Sequence, residues 1–224
     1  MSRGFLALAF VLLLSAVPSP AVEEGTKVNG WRELLASGQI VEVKTFDPAI
    51  AVDLRYAGTN NLLGHAIYEP EMPCLARPEV ARCLRNAQAI LRAQGYGLKV
   101  WDAYRPPAAH RAIWQSFSRR HYVADPTDGR GSLHSWGLAV DVTLVDREGR
   151  EVPMPSAFDD FTAAASGIYR GTDPAVSTHL RTLQKAMKAA GFIGLSTEWW
   201  HFAARNWKTH EPLRWQPVSV TQPR

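Results

Sequence analysis

Apolar and polar residues alternate over Val41-Glu-Val-Lys-Thr-Phe46, the period of a half-buried strand, and Ile50 to Tyr56 reads as its neighbour. After Pro78 the period changes. Val80, Leu84, Ala87 and Leu91 recur at helical spacing, with proline in the first turn and Gly95 behind, so a helix is expected over 78–94. Leu98 to Tyr104 then reads as a strand, ended by Arg105-Pro106-Pro107 because proline cannot extend a ladder. A helix from about Ala108 to Arg120 is expected next. Leu138 to Val145 reads as a buried strand closed by an Asp146-Arg-Glu-Gly149 turn. Leu180, Leu183, Met187 and Ala190 mark one face of a helix over 176–190, stopped by Gly191, and a last strand should begin near Trp199. Between Glu151 and Pro174, prolines, paired aspartates and small residues show no period, which suggests a long surface loop over something functional.

Helices and strands mix here without a regular βαβ rhythm. The expected fold class is therefore α+β, a single domain with a mostly antiparallel central sheet flanked by helices. No internal repeat, low-complexity run or linker divides the chain. Its first residues stand apart: Arg3 precedes an apolar run from Phe5 to Val17, and Ser19-Pro20-Ala21 offers small residues where a signal peptidase reads. Residues 1–21 are expected to be a cleaved secretory signal and 22–224 the functional domain, exported to the periplasm or secreted from a bacterium, with no membrane span after cleavage.

The 224 residues, 46% hydrophobic and 21% charged, suit an ordinary soluble domain. Removing the signal lowers the formal charge from +4 to +3, too small and scattered to imply nucleic-acid binding. Two cysteines, Cys74 and Cys83, leave open a disulfide in an oxidising compartment or two separate thiols.

Candidate chemistry concentrates in SLHSWGLAVD, residues 132–141, and EWWHF, residues 198–202. Catalytic zinc takes three ligands from histidines and carboxylates and keeps a position for water. His134, Asp141 and His201 supply such a set. His134 and Asp141 are an odd number apart, so one regular strand would aim them to opposite faces. Gly137 lets His134 sit in a turn before the strand that projects Asp141. Glu198 and His201 likewise need a bend to enter one cleft. Glu198 is the candidate general base, and Arg105, held at a strand exit by prolines, the candidate for stabilising an oxyanion. Asp141, set between two valines, would be costly to bury without a partner. Arg105 could instead bridge to Asp102 or Glu198 as a structural pair, and Trp199 and Trp200 could be ordinary core. His65, His110, His121, His179 and His210 have no comparable context.

SxHxxGxAxD followed by ExxWH resembles the zinc-dependent D-alanyl-D-alanine dipeptidases, relatives of the bacterial D,D- and L,D-carboxypeptidases. WDAYRP (residues 101–106), Asp53-Leu-Arg-Tyr56-Ala with Asn60-Asn61, and Phe158-Asp159 extend the resemblance over nearly the whole chain beyond the signal. It implies one zinc ion per chain held on the sheet by His134, Asp141 and His201, with Glu198 as general base and acid and Arg105 stabilising the transition state. It also implies a small closed pocket, in which Asp159 and Tyr56 meet the ammonium of a dipeptide and Ser132 its carboxylate. An acid facing an ammonium and a hydroxyl facing a carboxylate suit an enzyme that recognises both chain ends. The chain departs from the family's usual pattern at Met154-Pro155 and at Trp136, both of which could reshape the pocket mouth. The expected function is hydrolysis of D-alanyl-D-alanine. The alternatives are a peptidoglycan D,D- or L,D-carboxypeptidase, or a zinc-bearing binding module without catalysis. The oligomeric state stays open.

Overall fold

The helix expected after Pro78 forms over 78–92, and the reasons for its limits are local. In the computed structural model, which describes residues 30–117, 122–128 and 130–213, its first turn carries Pro78, whose missing N–H would have no partner there, and the charges of Glu79 in the first turn and Arg92 in the last suit the helix dipole. Gly95 follows with φ +84°, a left-handed turn that suits glycine. In chain order the elements are α1 (Gly30–Ala36), β1 (Val41–Glu42), β2 (Ala51–Val52), β3 (Leu75–Ala76), α2 (Pro78–Arg92), β4 (Gly97–Asp102), α3 (Pro107–Ser116), β5 (Ala139–Val145), α4 (Pro174–Ala189), β6 (Phe192–Leu195) and β7 (Glu198–Ala204). The expected signal segment and the expected end of α3 lie outside the described residues. Among the described residues no helix is long and apolar enough to cross a membrane.

The main sheet has the order β2-β4-β5-β7-β6 and is α+β in character. Three of its pairings are antiparallel and one, β2 with β4, is parallel. α2 and α4 pack on each other and on the sheet. Their residues Val80, Leu84, Leu91, Leu180, Leu183 and Met187 join Val140, Val142 and Leu144 of β5 in one core. Burial of each such side chain stabilises by about 1.5–3 kcal/mol. Strand alternation then turns Asp141 and Thr143 to the opposite face of β5.

Two expectations change. Val41–Phe46 is a strand of only two residues followed by a 3-10 turn over Val43–Thr45. Val43 and Phe46 are three apart, a spacing that fits this turn as well as alternation fits a strand, and Thr45 Oγ1 donates to Glu42 O at 2.7 Å. The partner of β1 is β3, in a separate two-stranded sheet, and not the Ile50–Tyr56 segment, whose β2 joins β4. This small sheet belongs to a second core with Trp31, Leu34, Tyr56, Tyr68, Tyr104 and Ile113. α1 and β6 were not expected: both are short, and β6 buries only Phe192. Cys74 and Cys83 are separate thiols, the first buried.

The turn before β5 depends on Gly137. Its φ is +69°, and an added Cβ would meet Arg77 Cγ and N at 3.3 Å and Leu213 Cδ1 at 3.4 Å. Gly137→Ala is expected to cost about 1–2 kcal/mol from the left-handed backbone alone, read as a lowered urea midpoint with an unchanged slope.

Candidate active site

Three neighbouring strands place three polar residues in one row. Asp102 of β4 stands opposite Asp141 of β5, and Asp141 stands opposite His201 of β7. The first pairing needs a bulge: Val100 pairs with Val142 but Asp102 pairs with Asp141, so Trp101 is the extra residue on β4. A second irregularity lies in β7, where Gly194 of β6 faces Phe202 but Leu195 faces Glu198. That break in alternation is the bend that lets Glu198 and His201, three residues apart, line one cavity.

His134 comes from the turn preceding β5. Its Nδ1 lies 2.9 Å from Ala103 O, and because a carbonyl only accepts, Nδ1 carries a proton, which leaves Nε2 to donate to Asp141 when the ring is protonated or to offer its lone pair to an ion. Nε2 lies 3.2 Å from His201 Nδ1 and 3.4 Å from Asp141 Oδ1, and His201 Nδ1 is 3.0 Å from the same oxygen. The three donors form a nearly equilateral triangle. Ligands at about 2.0–2.2 Å from a tetrahedral ion would stand about 3.3–3.6 Å apart, so the set fits a divalent metal. Among the described residues His134, Asp141 and His201 are the group able to hold one. Burial opposes charge on Asp141, but the imidazoles of His134 and His201 outweigh it and hold the carboxyl well below its usual range.

Arg105 is buried and donates from Nε and Nη2 to Asp102 Oδ2, at 2.9 and 2.6 Å. The structural pairing weighed for Arg105 is thus real, yet the side chain also lines the cavity and lies 3.9 Å from Asp141 Oδ2. Burial works against its charge, and the Asp102 carboxylate more than compensates, so it stays cationic. Asp102 also accepts from Tyr68 Oη and from the Ala103 N–H. Asp159 receives Tyr56 Oη at 3.0 Å and Leu62 N–H at 2.9 Å, and burial raises its carboxyl to about 7. Burial also raises Glu198 to about 7.

The cavity measures about 220 Å³, below the roughly 300–1,000 Å³ of drug-sized sites. Tyr56, Arg105, Ser132, His134, Asp141, Asp159, Glu198 and His201 all line it, so every site residue expected from the sequence converges here. Leu62, Tyr122, Phe161 and Trp200 supply apolar wall.

The family profile described as D-ala-D-ala dipeptidase, of peptidase family M15, matches residues 36–214. The chain belongs to this family. D-alanyl-D-alanine dipeptidases of Escherichia coli and Enterococcus faecium are 34% and 29% identical to it, over 73% and 69% of this chain and 83% and 85% of their own. A solved mutant of the vancomycin resistance D,D-pentapeptidase VanY in complex with Zn(II) is 17% identical over 62% of this chain and 77% of its own, with a TM-score of 0.36, a likeness too slight to carry an argument.

In this M15 peptidase the departures at Trp136 and Met154 lie outside the cavity. Trp136 Nε1 donates to Arg130 O, and Met154 lines a different cavity beside Trp101. Sequence reasoning missed three residues. His110, left without a role, lines the site, with Nε2 2.8 Å from Ala124 O. Asp102 appeared only as a possible bridge, although an acid at the end of an apolar strand, three residues before Arg105, was a legible signal. Tyr68 gave none. His121 lies outside the described residues.

Asp159 yields a pH test. Its folded-state carboxyl is raised above the unfolded value, so between about pH 4 and pH 7 the folded state keeps a proton that the unfolded chain has released. Stability of the metal-free protein should therefore fall as pH rises through that window, and Glu198 acts in the same sense. Asp159→Asn should flatten part of this slope in urea titrations across the window.

Proposed function

We propose that this M15 peptidase is a zinc enzyme that hydrolyses D-alanyl-D-alanine to two D-alanines. The carrying observation is the donor triangle of His134, Asp141 and His201 inside a small cavity that also receives Glu198 and Arg105. The names of the relatives from Escherichia coli and Enterococcus faecium support the substrate.

In this reading His134, Asp141 and His201 hold one zinc ion per chain, which supplies Lewis acidity and an acidified water when bound. Glu198 takes a proton from the attacking water and gives it to the leaving amine. Its carboxyl, raised to about 7 by burial, suits a group that must both accept and give at neutral pH. Arg105, fixed by Asp102, meets the oxyanion with a charge that needs no reorientation. The D-alanyl ammonium is met by Asp159 and Tyr56. Tyr56 stays a neutral hydroxyl, because burial raises its ionisation well above the usual value. Ser132 meets the terminal carboxylate; its Oγ already accepts from His134 N–H at 3.2 Å, and its proton remains free to donate. The small volume of about 220 Å³, walled by Leu62, Phe161 and Trp200, favours a dipeptide over a longer chain. Export belongs to the same reading and rests on the sequence of residues 1–21 alone, with 22–224 as the active domain.

A panel of D,D-, L,D- and L,L-dipeptides and an N-acylated D,D-tripeptide, with and without chelator, tests this. Free D-alanyl-D-alanine should be cleaved and chelation should abolish the activity. Glu198→Ala should keep its zinc and lose turnover by orders of magnitude. Cleavage of the blocked peptide alone, or activity surviving full metal removal, contradicts the proposal.

A further inference from the structure

Among the described residues three large hydrophobic side chains are exposed, Ile168 at 62% and Ile193 and Leu195 at 42% each, and all three line one groove. At about 470 Å³ it is larger than the catalytic cavity of about 220 Å³. Apolar patches of this kind, concentrated instead of scattered, mark interaction surfaces. The groove runs along β6, which is an edge of the main sheet. Among the described residues, the backbone bond that closes this edge is at its far end, where Gly167 N–H donates to Ser196 O at 3.0 Å. An open edge strand is a template for another strand.

Charge narrows the occupant. Lys188 and Arg205 flank the groove and no carboxylate lines it. Arg205 Nη2 donates to Lys188 O at 2.6 Å, and neither side chain enters an ion pair among the described residues. A second copy would offer its own β6, Phe192-Ile-Gly-Leu195, which brings no acid to the two cations. The chain's last residues, Arg214 to Arg224, hold two arginines and no acid. The acidic pair Glu23-Glu24 precedes α1, which shares a core with Tyr56 beside β2, at the other edge of the sheet.

We infer that the β6 groove docks an extended acidic segment of a partner protein. The segment adds to β6 as a strand, seats apolar side chains among Ile168, Ile193 and Leu195, and sets its carboxylates against Lys188 and Arg205. Main-chain hydrogen bonds supply affinity and the two cations supply selectivity.

The test titrates the purified protein with fluorescein-labelled peptides of alternating valine and threonine, one ending in glutamates and one in lysines, read by anisotropy. The glutamate peptide should bind saturably and the lysine peptide should not. Lys188→Glu, Arg205→Glu and Ile193→Asp should each weaken the glutamate peptide by at least about tenfold, while D-alanyl-D-alanine turnover is unchanged. Those positions lie outside the catalytic cavity, so hydrolysis and docking fail or survive separately. The inference is overturned if the glutamate peptide does not saturate, if the lysine peptide binds equally, or if the variants leave affinity unchanged. A dimer in light scattering that Ile193→Asp dissolves would also overturn it, since a second copy would then hold the groove.

Discussion

Two carboxylates are buried side by side in this fold, and everything at the site follows from how they are compensated. Asp102 and Asp141, 0% and 2% exposed, face each other on adjacent strands. Like charges directly opposite on a sheet repel, and a buried charge without a partner is costly. The chain solves the problem with different partners for each. Asp102 takes Arg105, Tyr68 and the Ala103 N–H, whereas Asp141 takes the imidazoles of His134 and His201. The first set makes Arg105 rigid, and the second creates a donor triangle suited to a divalent ion. Stabilisation and chemistry are two consequences of one charge arrangement.

Backbone irregularity delivers these groups. The bulge at Trp101 aligns Asp102 with Asp141, and the break in β7 turns Glu198 inward. Asp159 has φ +59°, a conformation uncommon outside glycine, though aspartate tolerates it better than most. Two donated hydrogen bonds hold its carboxylate, and neighbouring Phe158 is packed against Tyr56, Trp101 and Trp200 at ring-centroid distances of 5.5–5.8 Å. Strain of this kind persists where the surroundings fix it, and here it aims an acid into the cavity.

Long periodic segments were legible in the sequence because packing repeats a signal over several turns. α2, α4, β4 and β5 show it in Val80–Leu91, Leu180–Met187, Leu98–Asp102 and Ala139–Val145. His134 and Arg105 were legible for a different reason: glycine and proline beside ionisable groups signal turns that break alternation, as at Gly137 and Pro106, whereas Tyr56, Ser132 and Asp159 were legible only through the family resemblance. Elements of two to four residues were legible at most in outline: β1 and β2 fall inside expected strands but are shorter and paired differently, and β3 and β6 were not expected. β1, β2, β3 and β6 are set by tertiary pairing, and no periodicity can accumulate over so few positions. The parallel pairing of β2 with β4 and the role of Tyr68 depend on long-range approach, which one sequence does not record.

The central claim is that side chains from the turn before β5, from β5 and from β7 share one ion beside an uncoordinated Glu198. An anomalous difference map at the zinc edge, from crystals grown with zinc, tests it most directly. The account predicts one strong peak at about 2.0–2.2 Å from His134 Nε2, an oxygen of Asp141 and a ring nitrogen of His201, with the Glu198 carboxylate out of bonding range. A peak that uses Glu198 as a ligand, lies away from this triangle, or is absent from zinc-saturated crystals would contradict it.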